Sequence, residues 1–179
     1  MSRSVFTIGH SNHPLDRFLA LLAQHQIEAL VDIRRFPGSR KHPHFQRDNL
    51  APALQNAGME YRWLEALGGR RHKQREESPN LGLENRGFRN YADYMLTDEF
   101  RQGVVKLLEL ARQRRTAIMC AEGLFWQCHR RLVSDFLVAN GLTVEHIMPA
   151  GQLRPHQLTR GAVIDNGHVT YPGEKSLFP

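Results

Sequence analysis

The side chains able to do chemistry in this 179-residue chain gather in three short stretches. They are Gly9-His10-Ser11-Asn12, Asp32-Ile33-Arg34-Arg35, and Cys120-Ala121-Glu122 followed by Cys128-His129-Arg130. Both cysteines of the chain lie in the third stretch. If Cys128 sits at a helix N-terminus beside His129 and Arg130, its thiolate is favoured, which makes it a candidate nucleophile. His10 and Glu122 can each exchange a proton, so they are the candidate general acid or base. Arg34 and Arg130 would grip an anion through paired N–H groups. Ser11, Asn12, Asp32, Arg35 and His129 complete the expected anion-binding set.

Each residue also has a plainer reading. Cys120, on an apolar strand, reads first as a small core residue. His10 would equally satisfy loop carbonyls, Ser11 and Asn12 are ordinary capping types, and Asp32 would ion-pair with a buried arginine. His42, His44 and His72 read as exposed loop histidines, while Phe88, Tyr91 and Phe136 fall at core spacing. Cys120, Glu122, Cys128 and His129 together offer sulfur, oxygen and nitrogen ligands to a metal. Their spacing lacks the C-x-x-C hooks of structural zinc sites, so the metal signal is weak. Haem-attachment, Walker and G-x-G-x-x-G motifs are absent. A phosphatase-like C-x5-R loop is absent too, because Trp126 and Ser134 stand where its arginine would be. No cofactor follows from these patterns.

The elements that must position these residues alternate along the chain. Val5–Ile8, Ala29–Ile33, Tyr61–Leu64, Thr116–Cys120 and Thr143–Met148 read as strands. Between them, helical spacing runs from Leu15 to Ile27, across Asp48–Ala57, through Phe88–Met95, over Asp98–Ala111 behind a Thr97 cap, and across Leu132–Leu137 to Asn140-Gly141. Residues 160–172 read as a hairpin with a tight Asn166-Gly167 turn. Residues 68–87, rich in glycine and charge, read as a long mobile loop and a candidate lid. Strands alternating with helices predict a single three-layer α/β domain over residues 1–179, with a mostly parallel central sheet and a C-terminal hairpin. Ligands of such sheets bind outside the strand C-termini, where all three stretches fall.

Composition narrows the partners. The chain carries 24 Lys and Arg against 18 Asp and Glu. Residues 33–75 hold ten of those cations and three acids, so the excess is local and favours a polyanion. No apolar run is long enough to span a membrane, and the N-terminus lacks a secretory pattern, so a cytoplasmic location is expected. Oligomeric state is not legible.

Thr7-Ile8-Gly9-His10-Ser11, Asp32 through Ser39 (DIRRFPGS), and Met119-Cys120-Ala121-Glu122 with Cys128-His129-Arg130 resemble the domain of unknown function 488 family over about residues 4–150. The resemblance implies a compact α/β protein of bacterial type and no particular activity. Some relatives carry a DNA-repair label, which would agree with the basic stretch. Three functions therefore compete. The first is a pocket at the strand ends acting on a nucleotide, nucleic acid or other anion. The second is a non-catalytic nucleic-acid-binding module using residues 33–75, and the third a metal-binding regulator through Cys120, Glu122, Cys128 and His129.

Overall fold

The apolar runs at Ser4–Gly9, Ala29–Asp32 and Thr116–Cys120, buried on both faces, become the central strands of a parallel sheet, and the amphipathic segments along the chain become covering helices. The computed structural model describes residues 4–174. Residues 1–3 and 175–179 of the expected domain lie outside the described residues. In chain order the elements are β1 (Ser4–Gly9), α1 (Leu15–Gln24), β2 (Ala29–Asp32), α2 (Arg47–Asn56) and β3 (Glu60–Trp63). They continue with α3 (Arg86–Tyr94), α4 (Asp98–Gln113), β4 (Thr116–Cys120), α5 (Arg130–Ala139) and β5 (Thr143–Ile147). Three short strands follow: β6 (Leu153–Pro155), β7 (Val163–Asp165) and β8 (His168–Thr170).

The main sheet runs β3-β2-β4-β1-β5-β6, parallel throughout except for the antiparallel edge strand β6. Alternate residues of each strand enter opposite cores. Phe6, Ile8, Leu30, Ala117 and Met119 pack with Phe18, Leu21 and Leu22 of α1 and Leu50 and Leu54 of α2. Val5, Val31, Ile118 and Cys120 face the other way, towards Tyr91 of α3, Phe100 and Leu107 of α4, and Leu132 and Val133 of α5. The helix after β1 and the helix after β4 thus cover opposite faces of neighbouring central strands. Such a reversal splays the two connections apart and opens a crevice beyond the strand C-termini.

Local signals account for most boundaries. The Thr97 hydroxyl accepts the Phe100 N–H at the start of α4, and the Asn85 side chain accepts the Phe88 N–H at the start of α3. Asn166 and Gly167 both take positive φ, 48° and 78°, as a twisted two-residue hairpin turn requires. The hairpin forms its own two-stranded sheet, with Val169 and Tyr171 entering the core beside α5. Strand β6 was not expected. Three residues ending in proline carry no periodicity, and they pair only because β5 offers a free edge.

Residues 68–85 form no helix or strand, but α3 begins at Arg86, so the last two residues of the expected 68–87 loop are helical, and the segment read as mobile is pinned at several points. Asn80 is fully buried, giving its side-chain N–H to Asp93 and accepting the Tyr171 N–H. Gly82 N–H donates to the Tyr171 carbonyl, and Arg71 lies over the Tyr94 ring at 3.9 Å. Among the described residues no helix is long and apolar enough to cross a membrane.

Candidate functional site

The crevice beyond β1 and β4 is a cavity of about 760 Å³. Its wall is built by the loops after β1, β2, β3 and β4, closed on one side by α3 and the entry to α5. Glycine permits the closest approach. A Cβ at Gly9 would lie 1.7 Å from the Glu122 carbonyl oxygen, so only glycine lets the loop after β4 cross there. The two loops stay joined past the strands: His10 N–H donates to the Cys120 carbonyl and Ser11 N–H to that of Ala121. Ser11 holds a positive φ of 48°, an uncommon conformation for serine that turns the chain along the cavity.

Of the residues singled out in the sequence, His10, Ser11, Asn12, Arg34, Arg35, Cys120, Glu122, Cys128 and His129 line this one cavity. Asp32 and Arg130 do not. Asp32 lies fully buried beneath the wall, where its carboxylate takes Arg34 Nε and Nη2 at 2.9 and 2.7 Å and the Tyr61 hydroxyl at 2.6 Å. It positions Arg34 rather than contacting a guest. That pairing keeps the buried guanidinium charged, and Nη1 is left to approach His10 Nε2 at 3.4 Å.

Arg130 departs from its expected role of gripping an anion, because its side chain is committed inside the protein. Nε reaches Cys120 Sγ at 3.1 Å and Cys128 Sγ at 3.3 Å, Nη1 donates to Thr7 Oγ1 at 3.1 Å, and Nη2 donates to the Glu122 carbonyl at 2.6 Å. The two sulfurs lie 2.8 Å apart as free cysteines. Cys128 precedes α5 in an extended conformation, and its sulfur also accepts the Arg130 backbone N–H at 3.4 Å. Burial penalises the Cys128 thiolate, but the Cys120 hydrogen bond and the Arg130 charge outweigh that and bring the thiol below its ordinary range. Cys120 goes the other way, its thiol pushed well up by burial and by the proton it shares with Cys128. The pair therefore reads as a thiol donating to a thiolate. Sequence alone favoured a packing role for Cys120; it packs in the core and touches the Cys128 sulfur as well.

Two cavity histidines, His10 and His129, are neutral. Burial brings His10 down to about 4; its Nδ1–H donates to the Ser11 carbonyl, leaving Nε2 as an acceptor towards Arg34. His10 also stacks on Phe45, centroids 4.4 Å apart. Burial lowers His129 to about 4 as well, and its Nε2–H donates to the Ile33 carbonyl. Neither can supply a proton near neutral pH. Glu122 is exposed at the rim and, among the described residues, is the one carboxylate of the wall.

Behind the thiols runs a buried chain that the sequence did not signal. Arginine can only donate and a carboxylate can only accept, so both ends fix the direction. Arg130 donates to Thr7, the Thr7 hydroxyl to His146 Nδ1 at 2.6 Å, His146 Nε2–H to His156 Nδ1 at 2.8 Å, and His156 Nε2–H to Asp135 at 2.7 Å. Tyr171 O–H and Thr159 N–H complete the Asp135 carboxylate. Phe125 stacks on His146 with centroids 3.6 Å apart. The members come from β1, α5, β5 and the segment after β6, and no sequence motif links them.

The sequence also passed over Lys41, His42, Arg70, Gln127 and Tyr91 as wall residues. Their signal was position: Lys41 and Arg70 belong to the basic stretch and follow β2 and β3. As to metals, His129 is engaged with Ile33, and Glu122 lies out at the rim. Among the described residues no group of three or more His, Cys, Asp or Glu is placed to hold a metal ion.

No curated protein and no solved structure matches the chain. The model of one family, described as Domain of unknown function DUF488, matches residues 14–137, which take in the cavity loops after β2, β3 and β4 and the entry to α5. On that match the chain belongs to the DUF488 family.

Proposed function

We propose that the protein is an enzyme that binds an anionic, nucleotide-sized molecule in the cavity at the strand ends and acts on it through the Cys128 thiolate. One observation carries this reading. A thiol held by Arg130 and a helix N-terminus faces a wall that bears Arg34, Arg35, Lys41 and Arg70 against the single carboxylate of Glu122. A cavity of about 760 Å³ falls within the range that suits small-molecule ligands. The cations would hold the anionic group, with Ser11 and Asn12 donating hydrogen bonds. Asp32 and Arg130 would position Arg34 and Cys128. His10, neutral and turned to Arg34, would act as an acceptor, leaving Glu122 as the group that exchanges protons with solvent.

Calorimetric titration with inorganic phosphate and with nucleoside mono- and triphosphates tests the binding half. Lys41→Ala and Arg70→Ala should each weaken the tightest of these by roughly ten-fold, the loss of one charge-assisted contact. Cys128→Ser should bind equally well and, against the substrate so identified, turn over nothing. Variants that bind like the wild type, or a wild type that binds none of these anions, would sink the proposal. The basic stretch 33–75 also suits a nucleic acid. That alternative predicts affinity for single-stranded or duplex DNA falling by about one log unit per log unit of salt for each phosphate contacted.

A further inference from the structure

Cys120 has no task in anion binding, yet its sulfur lies 2.8 Å from that of Cys128 and faces the same cavity. The 121–127 loop between the two cysteines is held shut. Arg130 Nη2 reaches the carbonyls of Glu122 and Gly123 at 2.6 and 3.4 Å while its Nε meets both sulfurs, which ties the loop and the two thiols to one guanidinium. Cys128 stands before the first turn of α5, and a bond to Cys120 would leave the helix intact. Exposures of 3% for Cys120 and 8% for Cys128 place both sulfurs on the cavity floor, beyond reach of a protein disulfide. A small oxidant that enters the cavity can get there.

We propose that Cys120 and Cys128 form a hydroperoxide-reducing dithiol centre, in which Cys128 takes the oxidising equivalent and Cys120 resolves it as a disulfide. This rests on the reading of Cys128 as the reactive thiolate of the cavity, and adds a second substrate class and a role for Cys120. The Cys128 thiolate attacks the outer oxygen of a hydroperoxide. The O–O bond breaks, the leaving alkoxide or hydroxide takes a proton from solvent at the cavity mouth, and Cys128 becomes a sulfenic acid. The Cys120 thiol then attacks that sulfur. The S–O bond breaks, the Cys120 proton leaves with the hydroxyl as water, and a disulfide forms. Two electrons pass from the two thiols to one peroxide bond. A small thiol reductant returns the pair to its starting state by exchange.

Intact-mass spectrometry of the full chain treated with hydrogen peroxide or tert-butyl hydroperoxide tests this. The wild type should lose about 2 Da and regain it with dithiothreitol. Cys120→Ser should gain about 16 Da and be trapped by dimedone as a sulfenic acid. Cys128→Ser should react at least about ten-fold more slowly than wild type, because it lacks the stabilised thiolate. A wild type that gains oxygen without first losing two hydrogens would overturn the proposal, as would a Cys128→Ser protein oxidised at the wild-type rate. The wild-type result needs no variant to fold. Disulfide formation without anion binding would sink the anion reading alone, whereas phosphate binding without disulfide formation would sink this one alone.

Discussion

At the scale of single residues, the protein's chemistry turns on where Arg130 points. Its guanidinium lies beneath two sulfurs instead of in the cavity, so its charge works on the thiols and not on a guest. Stabilising the charged form lowers a thiol's pKa, and Cys128 gains more from this than burial takes away. The rate of iodoacetamide alkylation at Cys128 should therefore reach half its plateau below about 8.5, the ordinary cysteine value. Arg130→Lys keeps the charge but loses the fork that meets both sulfurs. It should move the midpoint upward, and Arg130→Met further. A wild-type midpoint at or above the ordinary value would show that the guanidinium does not activate the thiol. Asp32 makes the parallel case: a carboxylate wholly occupied by Arg34 and Tyr61 shapes the site without touching it.

At the scale of elements, β1 links two features that its sequence keeps apart. Its end supplies Gly9 and His10 to the cavity, while Thr7 two residues earlier joins Arg130 to the chain ending at Asp135. Both ends of that chain, Arg130 and Asp135, lie on α5, so Thr7 and His146 bridge it across two strands and His156 closes the circuit. Thr7→Val keeps the shape and removes the hydroxyl. Arg130 Nη1 and His146 Nδ1 would then each lack a partner in the interior, at a cost of about 2 kcal/mol in unfolding free energy. The same variant should slow Cys128 alkylation near neutral pH, which a purely structural hydroxyl would not do. Chemical denaturation together with alkylation kinetics reads both effects. Unchanged kinetics in a destabilised protein would confine the chain to a packing role.

At the scale of the whole molecule, buried neutral histidines tie stability to pH. His10 and His129 are held to about 4 in the folded protein, and burial with the charges of its neighbours lowers His146 as well. In the unfolded chain each returns to about 6.5. The unfolded state therefore binds protons that the folded state refuses. The stabilisation is whole above about pH 6.5 and drains away as pH falls towards 4. Each histidine should remove up to roughly 1.4 kcal/mol per pH unit within that window. Urea unfolding at about pH 7.5 and about pH 5.5 should show a fall of a few kcal/mol. Equal stability at the two values would mean that these histidines open to solvent and titrate freely.

How legible each level was depends on the range of the interactions that decide it. Strands such as Thr116–Cys120 and the helix capped by Thr97 were readable because periodicity and capping act over a few residues. The Asn166-Gly167 turn was readable for the same reason. The α/β alternation then implied a parallel sheet, and the sheet implied that His10, Arg34 and Cys128 would share an edge. Strand β6 was hidden because a three-residue strand owes its existence to its neighbour. The anchoring of residues 68–85 was hidden because Asn80 finds its partners at Asp93 and Tyr171. By itself, the sequence determined the architecture, the rim on which reactive residues gather, and the local excess of positive charge. Only the tertiary structure decided which way Arg130 turns, which sulfur holds the proton, and that Asp135 and two histidines stand behind the site. Charge state and proton position answer to burial and to partners tens of residues away, and those are set only once the chain has closed on itself.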